Sequence, residues 1–122
     1  MLANMFPFWE HIFVDLFWEQ CILSMKNIIA KKTLREFWEN YPDSEDALKA
    51  WHAEAKAAWW QNPAEVKAQY GNASILKNNR VVFNIHGNKY RLIVKINYAA
   101  SIVLIRFVGT HKEYDAIDAE TV

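Results

Sequence analysis

The stretch RVVFNIHGNKYRLIVKINY, residues 80–98, restricts most strongly what this chain can fold into. Apolar and polar side chains alternate on both sides of Gly87-Asn88, and a two-residue turn of that composition closes a tight antiparallel hairpin. Counting outward from the turn puts His86 opposite Lys89, Asn84 opposite Arg91, Val82 opposite Ile93 and Arg80 opposite Lys95, all on one face. The other face carries Val81, Phe83, Ile85, Tyr90, Leu92 and Val94, an apolar set that requires a cover. A third strand is expected over residues 102–108, with Arg106 in phase with Ile102, Leu104 and Val108 and assigned to the open face.

The cover is expected from the residues before the hairpin. After a short apolar strand over residues 27–30, Thr33 and Glu36 stand at capping-box spacing. Leu34, Phe37, Trp38 and Tyr41 then recur at the helical period up to Pro42. Asp43 or Ser44 is placed to cap a second helix, with Leu48, Trp51, Ala55, Ala58 and Trp59 as its apolar face and an end near Asn62. Asn62-Pro63 opens a short third helix that Gly71 stops, and residues 72–79 are expected to form a loop. The fold class is therefore α+β: N-terminal helices packed on one face of an antiparallel sheet, with a short C-terminal helix.

At 122 residues the chain fits one domain with one core. One cysteine, Cys21, excludes an internal disulfide and a thiolate cluster for zinc, and points to a reducing cytoplasm. Residues 1–24 are aromatic and apolar and contain Glu10, Asp15 and Glu19 with no Lys or Arg. They lack the basic start of an export signal, and their acids break a membrane span, so neither secretion nor a membrane is expected. MKNIIAKKTL looks like a fresh beginning, which suggests a start at Met25, a leader over 1–24 and a functional domain over 25–122.

The formal charge is zero overall, but residues 66–112 contain no Asp or Glu and eight Lys or Arg. The open sheet face is thus expected to attract polyanions through Arg80, Asn84, His86, Lys89, Arg91 and Lys95, joined by Arg106 and Lys112. No carboxylate cluster or His/Cys spacing suggests a metal site, no glycine-rich phosphate loop is present, and no cofactor is expected. His111, just past the third strand, belongs to the residue type suited to proton transfer near neutral pH, and Tyr114 can stack on a base or orient a phosphate. Taken alone, a histidine after a strand is more often a capping or packing residue, and Tyr114 is equally suited to packing on a helix face.

Four stretches carry a family resemblance: KKTLREFWENYPD, PAEVKAQY, ASILKNNRVVFNIHGNKYRLIV and above all IRFVGTHKEYDAID. From Met25 onward the chain resembles the HigB family of bacterial toxins, within the RelE-like superfamily of ribosome-dependent messenger-RNA interferases. The resemblance implies a toxin that cleaves mRNA in the ribosomal A site without metal and is neutralised by a HigA-type helix-turn-helix antitoxin. It also implies a contact from Arg91 to the scissile phosphate, acid or base work by His111, and substrate positioning by Tyr114. Lys89 and Arg106 then serve as supporting cations. A non-catalytic protein that blocks translation by occupying the ribosome is the alternative.

Overall fold

The computed structural model describes residues 27–122; the expected leader and Met25 lie outside that range. A short strand β1 (Asn27–Ile29) runs into helix α1 (Lys31–Asn40). A 3₁₀ turn (Pro42–Ser44) leads to α2 (Glu45–Ala57) and then α3 (Pro63–Gln69). Strands β2 (Ser74–Ile75), β3 (Arg80–Ile85), β4 (Tyr90–Asn97) and β5 (Ile102–Thr110) follow, and α4 (His111–Asp115) comes directly after β5. The sheet order is β1-β5-β4-β3-β2, antiparallel except for β1, which pairs in parallel with β5. The α+β class is as expected, with one parallel edge added. No helix among the described residues is long and apolar enough to cross a membrane.

Alternation dictated the central pairing. Val81 faces Val94, Phe83 faces Leu92 and Ile85 faces Tyr90, the register counted from the turn. These side chains are buried against Leu34 and Phe37 of α1, Leu48, Trp51 and Ala55 of α2, and Val66 of α3. Phe83 is the centre of this contact: its ring lies 5.4 Å from Trp51, 6.0 Å from Trp60 and 5.0 Å from Tyr70. Burying an aromatic ring at such a junction is worth several kcal/mol, about 3–5 for truncation to alanine.

The helical layer departs from expectation at its ends. Helix α1 starts at Lys31 with Ala30 as its cap and no side-chain cap, so Thr33 lies inside the helix and makes no capping box. The chain leaves β1 only one residue earlier, and the Ala30 carbonyl already accepts from the Thr33 amide at 3.0 Å. Helix α2 ends at Ala57 because Ala58 turns to extended backbone (φ −80°, ψ 152°). Trp59 is thereby taken off the helical face and left 63% exposed, while Trp60 takes the core position at 3%. At α3 the sequence reads true: the Asn62 side chain accepts from the Glu65 amide and Pro63 occupies the first turn. Within the expected loop, Ser74 and Ile75 pair with Val82 and Val81 to make the edge strand β2.

The second face of the sheet is not wholly open. Val82 and Ile93 are buried there opposite each other, and Arg80 is only 7% exposed. The last residues of the chain are drawn onto this face: Arg80 donates from Nε and Nη2 to the main-chain oxygen of Val122 at 3.2 and 2.8 Å. Arg106 reaches the same oxygen at 3.2 Å, and Asn78 donates to the Glu120 carbonyl at 3.3 Å.

Candidate active site

The site is made where β5 turns into α4. Strand β5 extends two residues further than expected, to Thr110, which pairs with Tyr90 and puts Gly109 opposite Arg91. Thr110 is also the cap of α4. Its hydroxyl accepts from the Glu113 amide at 3.1 Å, and the Glu113 carboxylate accepts from the Thr110 amide at 2.9 Å. This reciprocal pair lets the helix start with no intervening loop, so His111 occupies the first helical position and Tyr114 follows one turn on. The signal was legible as Thr-x-x-Glu in THKE, although sequence reasoning had not used it.

Arg91 projects from β4 beside this turn. It donates to the Asn88 carbonyl at 2.9 Å, which holds the side chain along the hairpin, and its guanidinium lies 5.8 Å from the centre of the Tyr114 ring. A guanidinium over a phenol face is an attractive arrangement that leaves N–H groups available for an anion. Gly109, across from Arg91, sits close under two side chains: a Cβ there would stand 2.5 Å from Cζ of Phe107 and 2.8 Å from Oε1 of Glu113, so both would have to shift. His111 is half exposed, with Nδ1 3.3 Å from Oδ2 of Asp115, four residues on. Sequence reasoning passed over Asp115, although the i, i+4 spacing from His111 is the signal that finds it.

The remaining expected residues do not gather here. Lys89 and His86 belong to a cluster on Asp43, in the 3₁₀ turn. The Asp43 carboxylate pairs with the Lys89 ammonium, accepts from the Tyr90 hydroxyl at 2.5 Å and lies 4.0 Å from Nε2 of His86. The hydrogen bond from Lys89, followed by that from Tyr90, holds the Asp43 carboxyl below the usual carboxylate range. The expectation that Lys89 and His86 line the open face is thus corrected. His86 and Gly87 take left-handed backbone (φ 56° and 66°), which ends the strand alternation at Ile85, and the His86 and Lys89 side chains lie against the Tyr90 ring.

Arg80, expected to be open, is buried under the chain's last residues. Asn84 donates to the Asn72 carbonyl at 3.4 Å and holds the connection to β2. Arg106 occupies a bulge: Phe107 pairs with Ile93 and Ile105 with Val94, so Arg106 is the extra residue and joins Arg80 at Val122. Lys95 and Lys112 are exposed. Lys95 lies four residues along β4 from Arg91, about 13 Å away. A cleft lined by Trp59, Trp60, Gln61, Tyr98, Ala99 and Ser101 opens at the opposite end of the β4–β5 pair.

The class so defined is a small α+β domain that carries a guanidinium, a phenol and an imidazole at one end of a helix-backed sheet. Residues 44–117 match the family model for HigB toxin, described as the RelE-like toxic component of a toxin-antitoxin system. The chain is 30% identical over 95 residues to the mRNA interferase toxin HigB of Escherichia coli strain K12, covering 76% of this chain and 91% of that protein. The mRNA interferase HigB of Shigella flexneri matches to the same extent, and that of Escherichia coli O6:H1 is 27% identical over 93 residues, 75% of this chain and 90% of the relative. This chain belongs to the HigB toxin family.

Proposed function

We propose that this toxin is an endoribonuclease that cleaves mRNA without metal, acting in the ribosomal A site, and that a HigA-type helix-turn-helix antitoxin silences it in the cytoplasm. The observation that carries this reading is the Arg91 guanidinium set over the Tyr114 ring, on the same short helix that His111 opens directly from β5 through the Thr110–Glu113 cap. The names of the relatives, mRNA interferases, support the substrate class.

In this scheme Arg91 holds the non-bridging oxygens of the scissile phosphate and offsets the charge that builds on them in the transition state. Tyr114 keeps the guanidinium in place and offers its free surface to the substrate. His111 takes the proton of the 2′-hydroxyl; the 2′-oxygen attacks the adjacent phosphorus; the bond from phosphorus to the 5′-oxygen breaks. The leaving 5′-oxygen takes a proton from solvent, and the products are a 2′,3′-cyclic phosphate and a 5′-hydroxyl end. The proton on His111 passes to water before the next turnover. Lys112 and Lys95, exposed on the described surface, attract the flanking phosphates.

His111→Ala and Arg91→Ala are expected to relieve growth arrest on induction while leaving thermal unfolding unchanged. Primer extension on mRNA from induced cells is expected to show fresh 5′ ends in the ribosomal reading phase with wild-type protein. Growth arrest without such ends would replace cleavage by occlusion of the ribosome. Cleavage by purified toxin on translating ribosomes, after the metal that ribosomes need is exchanged from Mg²⁺ to Ca²⁺, separates a metal-free reaction from one that uses magnesium.

A further inference from the structure

We infer that Asp115 is a positioning residue for His111: its carboxylate keeps the imidazole proton on Nδ1, so that the lone pair at Nε2 faces the substrate. This rests on the proton-transfer role given to His111 above. The geometry is the contact itself, Nδ1 to Oδ2 at 3.3 Å across one turn of α4. A lone pair on Nδ1 would face an anionic oxygen at that distance, which is repulsive, whereas a proton there is attracted. The tautomer of a neutral histidine is set by what its other nitrogen faces.

The pair is poorly explained as a helix stabiliser. An acid placed N-terminal to its basic partner suits the helix dipole, and here the order is reversed, with His111 in the first position and Asp115 in the last. Both side chains are more than half exposed, and exposed pairs of this kind contribute little to stability. Its consequence falls instead on the imidazole.

The other charged groups around α4 are committed elsewhere. Arg91 of β4 is bonded to Asn88 and lies over the Tyr114 ring. Glu113 is used in the cap, and Arg106 of β5 is held at Val122. Lys89 and His86 of the neighbouring turn share Asp43. Lys112, next to His111 on α4, is exposed.

Three variants and one spectroscopic readout test this. Long-range proton–nitrogen NMR of the His111 ring above its titration reports the tautomer directly and does not depend on activity. Wild-type protein is expected to show the proton on Nδ1, and Asp115→Asn is expected to shift population toward the Nε2–H form that predominates in free histidine. The yield of new 5′ ends is expected to fall about tenfold in Asp115→Asn, far less than the ~10⁴ seen where an orienting carboxylate is buried. Asp115→Glu should recover part of the loss, and Asp115→Asn should add nothing on top of His111→Ala. A wild-type ring with its proton on Nε2, or full cleavage by Asp115→Asn, overturns the positioning role. Full cleavage by His111→Ala instead removes the role of His111 itself, and the tautomer measurement tells the two failures apart.

Discussion

Asp43 gathers the end of the hairpin by itself, taking Lys89 and Tyr90 on its two oxygens with His86 nearby. Because Arg91 follows Tyr90 and is bonded to Asn88 within the same turn, whatever fixes this turn also fixes the guanidinium. Sequence reasoning considered Asp43 only as a helix cap, since its real partners lie 46 and 47 residues away and no local pattern joins them. The lowered folded-state pKa of Asp43 gives a signed expectation. Its contribution to stability is present above the ordinary carboxylate range and is lost as pH falls through the lowered value. Asp43→Asn should therefore melt at a lower temperature than wild type at pH 7. The difference should close in strong acid, where the wild-type carboxyl is also neutral. Thermal unfolding followed by circular dichroism from pH 7 downward checks this, and a gap that stays constant with pH would place the effect in packing rather than charge.

Strands and helices were legible to the degree that local pattern controls them. The β3–β4 register followed from alternation and a glycine turn, because a slip of one residue would have moved Phe83 and Leu92 out of the core. The β5 phase could not be read the same way, since one extra residue at Arg106 shifts the alternation and leaves Val108 on the core side. The two-residue β2 and the parallel β1 depend on partners far along the chain and have no period of their own. The junction of β5 and α4 is the element most exposed to small changes. Gly109→Ala would drive the new methyl into the Phe107 ring and against the Glu113 carboxylate that caps α4. A loss of about 1–3 kcal/mol in urea unfolding is expected, the range for overpacking. Phe107→Ala in the same chain should return part of it, and strictly additive losses in the double variant would mean that the two side chains do not collide.

Taken whole, the molecule has one face sealed by helices and a second face that its own last residues partly close, and this changes its electrostatics. Residues 66–112 are free of acids along the sequence, yet folding brings Asp43 to Lys89 and the Val122 oxygen to Arg80 and Arg106. Counting charge along a chain sees neither arrival, which is why the candidate surface was only partly legible: of its six Lys and Arg, Arg91, Lys95 and Lys112 remain without an acid partner among the described residues, while Arg80, Lys89 and Arg106 are engaged. Three cations facing single-stranded RNA give a slope of log affinity against log salt of about −2, whereas the six Lys and Arg expected on the open face would give about −4. Fluorescence anisotropy of a short labelled RNA with Arg91 and His111 intact, titrated from low to moderate salt, measures that slope. The shallower value is expected for the wild type. Lys95→Ala and Lys112→Ala should each flatten it by about 0.7, while Lys89→Ala should leave it unchanged because Asp43 already neutralises that ammonium. A steep wild-type slope that Lys89→Ala reduces would mean that the hairpin end opens in solution and gives its cations to the RNA.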